Sequence, residues 1–352
     1  MKFGLFSNSR RPDHPTYASG WDADLAEIVA ADRLGIEECW ISEHEVPAEL
    51  ILCKAAAMTS RITLGSAVRP LAYYHPLQVA TEANACYHLT GGRYRLGIGF
   101  GFGATPKEME RRGLDWSKTR EMMHASIDLI LKLWSATGPI DYDGPFWKGK
   151  ATELRPKSLQ QPHPPVAVAV QNTPATAELA GKHGFQMLTS NFNDPAQLRK
   201  LGDAMVEAAR KAGRKPTRDG LVTCRTIYVA ETDRQAREDM RESYNRTIAW
   251  EAQNTPHAQK ARIPPGGTWK DIDYDRLVDS GELFIGSPDT VAARIRHFYD
   301  QVGGFGEIMI HGGRDYATPE KRVASMTLFM EAVAPRLRGL GPDEAAAKQA
   351  AE

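Results

Sequence analysis

The sequence predicts an α/β fold of the (β/α)8 type, a TIM barrel with insertions, and three observations carry that reading. Short apolar runs alternate with longer stretches whose apolar residues recur at helical spacing. About eight such runs occur, the number a closed barrel needs, and each is near-continuously apolar, as parallel strands are when helices cover them. No glycine fingerprint of the dinucleotide-binding kind follows the first run, which disfavours the doubly wound open sheet.

Each element follows in order. Lys2–Ser7 is a strand, and 22–34 a helix stopped by Gly35. Strand 37–42 precedes helix 49–58, strand 62–68 precedes helix 75–89, and strand 94–100 precedes helix 118–134. The second half repeats the scheme with strand 166–170 and helix 175–183, strand 185–189 and helix 196–211, then strand 222–229 and helix 234–250. Helix 290–302, strand 307–311 and helix 319–337 close the series. The chain reads as one domain over 1–338, with a β-hairpin insertion at 137–150 and a longer one at about 253–285, followed by a flexible tail at 339–352. The longer insertion, rich in Pro, Gly and charge, exceeds an ordinary connection and is a lid over the barrel mouth, or a surface excursion or oligomer contact.

The chain of 352 residues balances 44 basic against 44 acidic side chains. That neutrality argues against a nucleic-acid or membrane-surface partner, since neither polyanion would attract it from a distance. Cys39, Cys53, Cys86 and Cys224 are scattered without metal or disulfide spacing and read as reduced thiols of a cytoplasmic protein. The opening apolar stretch is too short for a secretory signal, and no run reaches the ~18 apolar residues of a membrane span.

Active sites of such barrels lie at the C-terminal ends of the strands. Those ends are Ser7 and Asn8; Glu43, His44 and Glu45; Ser66, Ala67 and Val68; Gly99, Phe100 and Gly101; Gln171, Asn172 and Thr173; Ser190 and Asn191; Arg225; and His311. The set is polar for residues that follow such apolar runs. His44 is the sharpest candidate, an imidazole suited to proton transfer near neutrality, whose tautomer and pKa a neighbouring carboxylate would set. The bland reading is a surface histidine paired with a glutamate. Metal binding is disfavoured, because adjacent residues of an extended chain point to opposite faces and Glu43, His44 and Glu45 would not share one ion. The glycines of 97–103 let backbone approach a ligand closely, or serve tight barrel packing. Thr173, before Pro174, is placed to cap a helix whose N-terminus would suit a phosphate; capping alone is the plainer outcome. Tyr73, Tyr74 and His75 put rings at the mouth or start a helix.

The segments KFGLF, WISEHE, ITLGSAV, GGRYRLGIGFG, LFIGSPDTVAARI and SMTLFMEAVAPRLR together resemble the bacterial luciferase-like flavin-dependent monooxygenases, over nearly the whole chain. The resemblance implies that reduced FMN, supplied by a separate NAD(P)H-dependent reductase, binds at the C-terminal end of the barrel. Oxygen would add to it to give a hydroperoxide that oxygenates a small, largely apolar organic substrate. It further implies His44 as the catalytic histidine beside the flavin, Gly99 and Phe100 at the cofactor, and Asn172 and Thr173 at its phosphate. Ser66 and Ala67 would flank a non-prolyl cis peptide. A homodimer through helices near the second and third strands is also implied. Phe100 stands where relatives often carry a phosphate-gripping arginine, and Arg69, Arg93 or Arg225 are the substitutes in view. Hydride transfer with the deazaflavin coenzyme, or a non-catalytic flavin-binding role, are the alternatives.

Overall fold

The computed structural model describes residues 1–342 except 10, 12, 45, 101–105, 152 and 255–261. Eight parallel strands close on themselves: β1 (Lys2–Ser7), β2 (Glu38–Ile41), β3 (Thr63–Ser66), β4 (Tyr94–Gly99), β5 (Val166–Ala169), β6 (Gln186–Leu188), β7 (Leu221–Arg225) and β8 (Glu307–Gly312). Each pairs with the next, and the ring shuts where β1 meets β8, Lys2 opposite Glu307 and Ser7 opposite Gly312. The helices that cover them include α1 (Tyr17–Leu34), α2 (Ala48–Met58), α3 (Pro76–Leu89), α4 (Thr119–Ser135), α5 (Pro174–His183), α6 (Pro195–Lys211), α7 (Asp233–Asn254), α8 (Pro288–Val302) and α9 (Pro319–Leu328). α5 and α8 start on a proline in the first turn, and left-handed glycines end α1, α5 and α8 at Gly35, Gly184 and Gly303.

Period-two alternation sends one set of side chains inward and the other toward the helices. The inward set is layered. At the N-terminal end, Glu38 pairs with Lys2 (3.1 Å) and Arg95 (2.9 Å), and the fully buried Glu307 lies against it. Burial and then the charge of Glu38 hold the Glu307 carboxyl well above the usual carboxylate range, so it keeps its proton. Gly4 makes room, since a Cβ there would collide with that carboxyl. Above, the Trp40 indole lies across β3 and β4, where Gly65 and Gly97 leave it space. Ala167, Leu188, Val222, Cys224 and Met309 complete that layer.

Three details depart from the sequence expectation. The run 222–229 is two strands: β7 ends at Arg225, and Ile227–Val229 leaves the barrel to pair in parallel with Phe284–Gly286. That pair, α7 and the helix Tyr274–Asp279 enclose a second apolar cluster around Tyr244, Tyr274, Leu277, Leu283 and Tyr316. The insertion therefore carries helix, strand and core of its own, although 255–261 lies outside the described residues. The closing helix is interrupted by a π-helical segment, Phe329–Val333, before Ala334–Leu337. The hairpin forms as expected, Ile140–Asp143 against Lys148–Ala151.

Candidate active site

The polar rim of the mouth is built by β1, β2 and β8. Register places Ser7 beside Ile41 on one flank and Gly312 on the other, so the residues just past β1 and β2 and at the end of β8 converge. The Ser42 hydroxyl donates to the Asn8 carbonyl (2.7 Å) and stands 3.0 Å from His44 Nε2. One hydroxyl carries one proton; with that proton on the Asn8 carbonyl, His44 Nε2 is the donor to Ser42. Ser42 is thus one of the groups that orient the ring. Glu43 turns instead to Tyr74, whose hydroxyl donates to it (2.7 Å), and Glu45 lies outside the described residues.

Across the mouth, the Asn8 side-chain amide meets His311 Nε2, and the His311 ring stacks on Phe6 with centroids 5.8 Å apart. Burial, helped by Arg314 and Arg262, pushes the His311 pKa down to about 3, so the ring is neutral at any physiological pH. An amide donor at Nε2 leaves the proton on Nδ1, which has no hydrogen-bond partner among the described residues. Glu43 is the opposite case. Burial raises its pKa to about 7 against the pull of the Tyr74 hydrogen bond, Arg69 and Arg112.

Beneath the rim the floor is apolar: Phe6, Ala67 and Val68 are half-buried over Trp40, Cys224 and Met309. A non-prolyl cis peptide joins Ala67 to Val68, one bond later than the Ser66–Ala67 position expected. Ser66 itself is not in the mouth. It is fully buried in the wall, where its hydroxyl donates to the Gly97 carbonyl and accepts from the Gly97 amide (3.2 and 3.1 Å). Alternation explains this, since Gly65 and Ala67 take the inward face and Ser66 the opposite one. Gly99 is required by close packing, as a Cβ there would press on Val68 at 2.6 Å.

Phe100 stacks near a cation, the Arg120 guanidinium 5.1 Å from its ring centre. None of the three arginines considered as substitutes reaches into the mouth. Arg69 is held between Glu49 (3.7 Å) and Glu82 (2.5 Å) on the helix side of the wall. Arg93 donates to the carbonyls of Ala56, Thr59 and Ile62 ahead of β4. Arg225 is buried under Phe298 and donates to the carbonyls of Cys224 and Asn193. Thr173 does occupy the cap of α5, but its side chain makes no capping bond, and Gln197 on α6 holds the Asn172 side chain (2.6 Å). Among the described residues no group of three metal-ligating side chains stands together, and no helix is long and apolar enough to cross a membrane.

Sequence reading underrated Ser42, Asn8, His311 and Trp40. The period of two was the available clue, because Glu38, Trp40 and Ser42 fall on one face and point it inward.

With this geometry in place, comparison with known proteins has a definite outcome. The model of the luciferase-like monooxygenase family matches residues 1–304. The chain belongs to that family. Among its relatives, the 4-hydroxyprotoasukamycin monooxygenase of Streptomyces nodosus subsp. asukaensis is 29% identical, over 96% of this chain and 93% of the relative. Limonene 1,2-monooxygenase of Rhodococcus erythropolis is 30% identical, over 97% and 88%. Among solved structures, the oxygenating constituent of the 3,6-diketocamphane monooxygenase of Pseudomonas putida, a type II Baeyer–Villiger monooxygenase in complex with FMN, superimposes with a TM-score of 0.82. It is 25% identical and covers 95% of this chain and 98% of that one. This luciferase-like chain is a flavin-dependent oxidoreductase on a closed (β/α)8 barrel.

Proposed function

We propose that this family member is the oxygenase of a two-component system, using reduced FMN from a separate NAD(P)H-dependent reductase to oxygenate a small, largely apolar organic compound. The observation that carries the reading is the combination at the mouth: an apolar floor of Phe6, Ala67 and Val68 under a rim of neutral hydrogen-bonding groups centred on His44.

The residues fit a flavin. The floor offers apolar surface to a ring system, with glycines 97 and 99 contributing no side chain to it. The buried Nδ1–H of His311 is a donor awaiting an acceptor. The unused hydroxyl of Thr173 and the first turn of α5 suit the phosphate, with Asn172 fixed beside them by Gln197. When bound, the reduced flavin supplies the electrons that activate molecular oxygen. The protein's own part is threefold. Phe6, Ala67 and Val68 keep water from the reacting face. Ser42, anchored on the Asn8 carbonyl, fixes the His44 ring. His44 then accepts and returns a proton, and His311, neutral, holds a polar atom in place without adding charge.

Leu50, Met58 and Leu89, exposed on α2 and α3, support the homodimer through these helices. Four free cysteines support a cytoplasmic setting. Anaerobic titration with reduced FMN, oxidised FMN and the deazaflavin coenzyme tests the cofactor. Preference for reduced FMN is expected, followed by oxygen-dependent product formation once a reductase is added. Binding of the deazaflavin alone would move the assignment to hydride transfer, and binding of neither would end it.

A further inference from the structure

We propose that Cys53 and Cys86 are a peroxide-oxidisable dithiol, which closes into a disulfide within one protomer and ties α2 to α3. The two residues lie 33 positions apart on neighbouring helices, yet their sulfurs stand 3.8 Å apart in an S–H···S contact. Within the protomer Cys53 is half-buried, while Cys86 is buried behind it. The hydrogen bond from Cys86 brings the Cys53 thiol down to about 7, whereas the same contact and burial push Cys86 up. The less buried sulfur is thus the more readily ionised of the two, with its resolving partner already in contact. Arg69, buried between Glu49 of α2 and Glu82 of α3, fixes the helix pair around the two sulfurs. The other two cysteines are an internal contrast. Cys39 and Cys224 are buried, pushed up by burial, and stand on separate barrel strands.

The chemistry balances with hydrogen peroxide as the oxidant. The Cys53 thiolate attacks one peroxide oxygen and the O–O bond breaks. Hydroxide leaves and is protonated to water, and Cys53 becomes a sulfenic acid. The Cys86 sulfur then attacks that of Cys53; the S–O bond breaks and the departing hydroxide takes the Cys86 proton as a second water. Two thiols and one peroxide give one disulfide and two waters, and each sulfur surrenders one electron. Reduced flavin that meets oxygen without substrate releases peroxide, so the enzyme itself would be the source. That source rests on the function proposed above; the dithiol does not.

The test treats the full-length purified protein with graded hydrogen peroxide, then maps non-reduced peptides by mass spectrometry and counts free thiols in denaturant. The expected result is a Cys53–Cys86 linked peptide pair within one chain, a fall from four free thiols by two, and full recovery with dithiothreitol. Cys86→Ser should stop at a sulfenic acid on Cys53 that dimedone traps, and Cys53→Ser should leave Cys86 unmodified. A Cys53–Cys53 link between protomers, direct passage of Cys53 to sulfinic acid in the wild type, or oxidation of Cys39 and Cys224 at the same peroxide concentration would each overturn the proposal.

Discussion

The two ends of the barrel bury polar groups in opposite ways. At the N-terminal end, Glu38 is ion-paired to Lys2 and Arg95, beside the protonated Glu307. At the C-terminal end, Asn8, Ser42 and His311 are uncharged, and the last presents a donor with no partner among the described residues. Charge paired internally serves the fold, because breaking such a cluster strands a buried ion. Neutral groups oriented at the open mouth of the barrel can serve chemistry, because what hydrogen-bonding capacity they keep faces the site. The difference predicts that substitutions at the upper end change turnover and leave melting alone, with the reverse at the lower end.

The largest effect expected is that of His44→Ala. Loss of a positioned acid–base group costs ~10²-fold or more in product formation, while the melting temperature holds and reduced-FMN affinity moves only a few-fold. An unchanged rate, measured with excess reductase, would remove His44 from the chemistry. Ser42→Ala comes next, with about a tenfold loss, the worth of one hydrogen bond that sets the ring. Equal loss of stability and of rate in that variant would blur the contrast between the two ends.

Glu307→Gln probes the lower end. Unfolded, this carboxyl loses its proton near its ordinary value of 4.5, whereas folded it keeps the proton well above it. Folding therefore takes up a proton. The contribution is whole below the unfolded value and declines by ~1.4 kcal/mol per pH unit until the folded value is passed. Glutamine is neutral in both states, so the variant escapes the decline. Thermal melts should show wild type losing several degrees relative to it between pH 5 and pH 8, with kcat unchanged. Parallel melting curves across that range would show that Glu307 is ionised in the fold. The smallest effect is that of Glu43→Gln, a carboxyl near the rim whose pKa, about 7, lies in the working range. An inflection near that pH in the wild-type rate profile should be missing from the variant.

Much of this architecture was legible in the chain. Parallel strands buried on both faces write themselves as continuous apolar runs, and seven of the eight lay close to where those runs stood. The same property hid the break at Thr226: β7 and Ile227–Val229 are both fully buried, so no polar residue marks the point where the chain leaves the barrel. His44 could be placed at a strand end, but not its partner. Ser42 and the Asn8 carbonyl meet through the β1–β2 register, a long-range pairing that local sequence does not encode. Ser66 and Ala67 were named together because similarity marks a segment, whereas alternation decides which of its side chains looks inward.

The pairing of β1 with β8 has a consequence in time. Lys2 finds Glu307 and Ser7 finds Gly312 only after about 300 further residues have been made, which at ribosomal speeds takes ~15–60 s. Through that interval the first strand has β2 on one edge and nothing on the other. The nascent chain must be shielded there, by a chaperone or by its own collapsed helices, until the last strand arrives to close the ring.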